Sequence, residues 1–99
     1  MPNAKATDPQ TSHDAARSVK NLTETKKAIL WILDCYGSMV DDKLVEHYNK
    51  LVYQGIAPRA SQQGVRTRRH ELVVAGQVQD TGSREKLASG RKAIVWDLS

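Results

Sequence analysis

Cysteine occurs once in this 99-residue sequence, at position 35, so the chain can close no internal disulfide and offers no CxxC-type pair to a metal. A lone thiol among apolar neighbours reads as a small buried hydrophobe, and the simplest home for it is a reducing cytoplasm. Long apolar runs are missing too. The longest, Ala28 to Leu33, is far too short to cross a bilayer, and the opening MPNAKATDPQ lacks the apolar segment of a signal peptide. Neither export nor a membrane partner is expected. Internal repeats and low-complexity stretches are absent, and so is any carrier of catalysis. His13, His47 and His70 fall on three separate elements without ligand spacing, which argues against zinc. Ser38, Ser83 and Ser89 have no base and orienting acid arranged around them. Asp41, Asp42 and Glu46 cluster at a helix start, where acids serve as cap and dipole partners. The expectation is a protein that is not an enzyme and holds neither metal nor cofactor.

What remains is ordinary globular material, 39% hydrophobic and 26% charged, enough for one small domain and no second core. Its charge is unevenly placed. Residues 1 to 58 carry seven Lys/Arg and seven Asp/Glu, whereas residues 59 to 99 carry eight basic and four acidic groups, so the net +4 arises entirely in the C-terminal part. Clustered cations release counterions when they meet phosphates, which gives sequence-independent, salt-sensitive affinity for a polyanion.

The segment SQQGVRTRRHELVVAG, Ser61 to Gly76, is the most informative stretch. Taken as a helix, it places Val65, Leu72 and Val73 in one apolar arc and Gln63, Arg66, Thr67 and His70 opposite. Those outward groups are hydrogen-bonding types suited to a nucleic-acid groove: Arg to a guanine edge or phosphate, Gln to adenine, Thr and His to either. Arg66 and Thr67 lead as base or phosphate contacts, Gln62, Gln63 and His70 follow, and Arg68 is assigned to the backbone. Ser61 reads as the N-cap. Gly64, in the first turn, either lets a phosphate or a neighbouring helix approach or marks a frayed end.

Along the chain, residues 1 to 10 read as a flexible tail and residues 11 to 99 as the domain. A short helix begins at Thr11 or Ser12. A first full helix follows, stapled at Leu22, capped by Thr23 and stopped at Gly37, with Ile29, Ile32, Leu33 and Tyr36 inward and Ala28, Trp31 and Cys35 on a second strip. After a short SMV strand, Asp41 caps a helix that ends at Gly55, with Leu44, Val45, Tyr48, Leu51 and Val52 on its buried face. Pro58 disfavours helix at Ala57, and helical structure restarts at Ser61. Beyond Gly76 a hairpin is expected: strands from Gln77 to Asp80 and from Ala93 to Leu98, with Val78 and Val95 inward and Trp96 at least half covered. Between them lies a loop carrying Arg84, Lys86, Arg91 and Lys92, in which Gly82 and Gly90 allow positive φ.

Helix, short strand, two helices and a basic hairpin is the layout of a winged helix-turn-helix, an α+β and mainly helical fold: a three-helix core, a C-terminal hairpin wing and here an extra short N-terminal helix. The pieces DPQTSHDAARSV, LTETKKAIL, DDKLVEHY, GVRTRRHELVVAGQV and SGRKAIVWDL resemble small winged-helix proteins of actinobacterial phages and their hosts, and together they span nearly the whole chain. The resemblance implies sequence-specific binding to double-stranded DNA, with residues 61 to 75 as recognition helix in the major groove and residues 81 to 92 as wing on the backbone. It points to a phage or bacterial transcriptional regulator in the cytoplasm of a bacterium or infected host. The expected DNA contacts are Ser61, Gln62, Gln63, Arg66, Thr67, Arg68, His70, Arg84, Lys86, Arg91 and Lys92. Alternatives are a winged-helix protein-interaction module, for instance a phage protein binding a host factor, and an architectural accessory to recombination.

Two features depart from a minimal helix-turn-helix. The connector from Gly55 to Ala60 exceeds the usual three or four residues. Arg69, at about 40° from Val65, falls inside the apolar arc, where an unpaired guanidinium is prohibitively costly, so a structural ion pair with Asp41, Asp42 or Glu46 is expected. A homodimer through the Trp31 face and the N-terminal helix is expected as well, because one recognition helix buries little and paired half-sites multiply specificity.

Overall fold

The computed structural model describes the backbone from Asp8 to Ser99 and the side chains from Lys20 onward. It is α+β and mainly helical: α1 (Asp8–Tyr36), α2 (Asp41–Tyr53) and α3 (Gln62–Val74), then an antiparallel hairpin of β1 (Val78–Lys86) and β2 (Lys92–Leu98). Apolar residues at helical spacing bring the elements together. Ile29, Ile32 and Leu33 of α1, Leu44, Val45, Tyr48 and Leu51 of α2, and Val65 and Leu72 of α3 form one cluster with Met39, Val78 and Trp96. Among the described residues no helix is long and apolar enough to cross a membrane.

The N-terminal region differs from expectation. Instead of a short helix and a restart at Thr23, α1 runs unbroken for 29 residues, about 43 Å at 1.5 Å per residue. Between Gln10 and Tyr36 there is no glycine or proline to end it, and Thr23 lies within it rather than at a cap. Of the tail expected over residues 1 to 10, the first seven lie outside the described residues, while Asp8, Pro9 and Gln10 are helical. Tyr36 does not point inward. It is exposed and stacks on His47, with ring centroids 4.3 Å apart. Cys35 is exposed too. The chain reverses at Gly37, whose φ of 84° suits glycine, and Met39 and Val40 enter the core in their place.

Helix α2 has the expected buried face, but its N-cap residue is Val40, which makes no side-chain cap bond; Asp41 is the first helical residue. The long connector to α3 is fastened rather than loose. The Tyr48 hydroxyl donates to the Pro58 carbonyl and lies 3.1 Å from the Thr25 hydroxyl, which itself donates to the Asn21 carbonyl. Burial pushes the Tyr48 phenol above the usual tyrosine value, and the contact with Thr25 only partly opposes this. One buried polar cluster thus ties α1, α2 and the connector, and so sets where α3 begins.

The hairpin is longer than expected. Thr81, Gly82 and Ser83 all stand opposite the single residue Val95, and pairing resumes with Arg84 opposite Ile94 and Lys86 opposite Lys92. Most of the anticipated loop is therefore strand, and the turn spans only Leu87 to Arg91. Val95 is not a core residue as expected; Ile94, Trp96 and Leu98 are the ones that pack on the core. Met39 accounts for the anticipated short strand with one bridge, exchanging backbone hydrogen bonds of 2.9 and 2.8 Å with Trp96.

Candidate nucleic-acid interface

Ser61 caps α3 by accepting a hydrogen bond of 2.9 Å from the Gly64 amide. A methyl group on Gly64 would stand 3.2 Å from the Ser61 hydroxyl, so this glycine serves the cap. Past the cap, Val65 and Leu72 turn into the core with Val73 beside them, while Gln62, Gln63 and His70 are exposed. Thr67 is half-buried, and its hydroxyl donates to the Gln63 carbonyl at 2.8 Å.

Each of the three arginines of α3 meets an acid, two of them at the start of α2 and the third within α3 itself. Arg69 reaches the start of α2 and holds Asp41 with two bonds of 3.0 and 2.9 Å, its guanidinium lying 3.9 Å above the Trp96 ring. The expected ion pair is present, with Asp41 as the partner. Since Trp96 is also bridged to Met39 through its backbone, Arg69 closes a joint between α2, α3 and β2. Arg68 turns toward α1: its Nη2 donates to Glu71 at 3.1 Å, and Glu71 also faces Lys26 at 3.3 Å. Arg68 Nε lies 2.9 Å from the same carboxylate but is not aimed at it. Arg66 extends over the N-terminus of α2 and donates one bond of 2.9 Å to Asp42.

On the hairpin, Arg84 is engaged locally. Asp80 accepts from Arg84 at 3.0 Å and from the Gly82 amide at 2.8 Å, and these bonds, the amide's first, hold the Asp80 carboxyl below the usual carboxylate range. They brace the irregular stretch at Thr81 to Ser83. Toward the tip the pattern changes. Lys86 and Lys92 are directly opposed, Arg91 follows at the turn, all three are exposed, and among the described residues none has an ion-pair partner. Directly opposed residues share a face, and alternate residues of a strand do too, so Lys86 and Lys92 lie on the face that carries Ile94 and Trp96.

That face and α3 bound a cleft of about 430 Å³ lined by Asp41, Arg66, Arg69, Leu87, Arg91, Lys92, Ala93, Ile94 and Trp96. Of the residues expected from sequence, the cleft unites Arg66, Arg91 and Lys92. Lys86 stands opposite Lys92, and Ser61, Gln62, Gln63, Thr67 and His70 lie along α3, whereas Arg68 and Arg84 are committed to other contacts. Sequence reasoning did not place Asp41 on the wall of this cleft, and it missed the Asp42 contact with Arg66, the apolar floor of Ile94 and Trp96, and the exposed Arg59 just ahead of the cap. Only the anomalous position of Arg69 signalled the first of these.

Comparisons with family models, with curated proteins and with solved structures find no match for this chain.

Proposed function

We propose that the chain is a winged-helix protein that binds double-stranded DNA, with α3 in the major groove and the hairpin on the flanking backbone, and that it regulates transcription in a phage or its bacterial host. The observation that carries this reading is the hairpin tip. Lys86 and Lys92, directly opposed beside Arg91 and without an ion-pair partner among the described residues, repel one another in the isolated protein and are relieved by a polyanion. The tip lies on the cleft face, so one duplex could meet both elements, and α3 offers exposed Gln62, Gln63 and His70 for base edges or phosphates.

Titration of a fluorescein-labelled random 20-base-pair duplex at increasing KCl tests it. Binding at low salt with a log–log slope of about −3 or steeper is expected if three or more phosphates are neutralised. Absence of binding at low salt would refute the reading. A homodimer through the Trp31 face and the N-terminal part of α1 is included in the proposal. Trp31 is 48% exposed and projects between a groove shared with Ala28, Leu51 and Ile56 and another beside Leu30 and Leu98. Sedimentation equilibrium should give a dimer that Trp31→Ala dissociates. That apolar ridge equally supports the second reading, a protein-interaction module, which gains if the wild-type chain is monomeric and ignores DNA.

A further inference from the structure

Two consecutive acids at the start of α2 hold two arginines one turn apart on α3, but they hold them unequally. The Arg69–Asp41 pair is bidentate, stacked on Trp96, and its side chains are only 12% and 21% exposed. The Arg66–Asp42 pair rests on a single hydrogen bond between side chains 40% and 55% exposed, and Arg66 Nε is buried without a partner among the described residues. Guanidinium has five donors in a planar fork, so Arg66 keeps most of its bonding capacity in reserve at the edge of the basic cleft.

Resting on the reading of α3 and the hairpin as a duplex-binding surface, we propose that Asp42 is an internal substitute for a DNA acceptor, which holds Arg66 until a base edge or phosphate displaces it. Exposed ion pairs held by a single hydrogen bond contribute little, so a two-pronged contact from a guanine edge or a phosphate outcompetes this one. Asp42 loses little when Arg66 departs, because it stays in the first turn of α2, where the positive end of the helix dipole favours a carboxylate. Its charge also repels any phosphate placed near Arg66 that does not engage the guanidinium well. The acid thereby lowers affinity for arbitrary duplex more than for a sequence that satisfies Arg66, and so acts as a specificity-determining residue.

The test is a double-mutant cycle on the full chain, read by anisotropy with the random 20-base-pair duplex across KCl concentrations. Asp42→Asn should tighten binding about three- to tenfold and steepen the log–log salt slope by about one, as one cation is released to the duplex. In an Arg66→Ala background the same change should have less than about one-third of that effect on the logarithmic scale. Glu46→Gln, which removes an exposed acid one turn further along α2, controls for general charge. Asp42→Ser serves as a second variant if the asparagine form fails to melt cooperatively. Unchanged affinity in Asp42→Asn, a gain that persists without Arg66, or an equal gain from Glu46→Gln each overturns the proposal while leaving DNA binding intact. Failure of the wild-type chain to bind the duplex at low salt removes both readings together.

Discussion

The two ends of the hairpin obey different rules. At its base Val78 is buried, Trp96 is 9% exposed beneath a guanidinium, and Trp96 is bridged to Met39, so the base is fastened to the helices. At its tip three cations face water without an ion-pair partner among the described residues. The irregular stretch from Asp80 to Arg84 divides these regions, and the Asp80–Arg84 pair stiffens the division. Groups that fold the protein have been neutralised by one another, whereas the groups left unneutralised are those available to something else. The same contrast recurs on α3, where Arg69 is fastened and Arg66 only loosely held.

Substitutions at the base should cost folding free energy and those at the tip should cost affinity. The largest loss is expected from Trp96→Ala, which empties the joint between α2, α3 and the hairpin and should destabilise by about 3–5 kcal/mol in urea denaturation. Arg69→Ala strands Asp41 and uncovers the Trp96 ring; about 2–3 kcal/mol is expected, below the figure for a fully buried pair because both groups retain some contact with water. A melting temperature unchanged in that variant would place Arg69 with the tip residues instead.

Tyr48→Phe tests a third fastening, away from the hairpin, and should cost about 1–2 kcal/mol by leaving the Pro58 carbonyl without its donor. Because the phenol titrates higher in the folded chain than in the unfolded one, the folded state binds that proton more tightly. Its contribution is therefore complete below about pH 10 and is lost as pH rises through the raised value. Wild-type stability should fall across that alkaline window more steeply than that of the variant, as followed by circular dichroism. The smallest effect on folding belongs to the tip: Lys86→Gln with Lys92→Gln should leave stability equal or higher by about 0.5 kcal/mol, while the salt slope of duplex binding drops by about two. A destabilised double variant would show instead that the tip cations serve folding.

Local patterns made much of this legible. The buried stripe of α2 and the Ser61 cap follow from spacing and side-chain chemistry within a single element, and the helical arc of α3 exposed Arg69 as a charge in need of an acid. Its partner could not be singled out, nor could the Asp42 contact with Arg66 be foreseen, because such pairs depend on the angle between α2 and α3. That angle is set in part by the Tyr48–Pro58 contact at the connector. The continuity of α1 was obscured by Leu22 and Thr23, which have the right types for a helix start but no preceding helix breaker. In the hairpin, three residues opposite one disrupt the alternation that tells inward from outward, so Val95 and Trp96 could not be ranked from the sequence.

The two tryptophans inhabit opposite worlds, one half in solvent on α1 and the other enclosed under Arg69. An aqueous collisional quencher such as iodide should therefore silence Trp31 first, leaving the blue-shifted emission of Trp96 as a natural lamp at the junction of helices and hairpin. Any event that pries the hairpin from α3 would redden and dim that lamp, without any dye being attached.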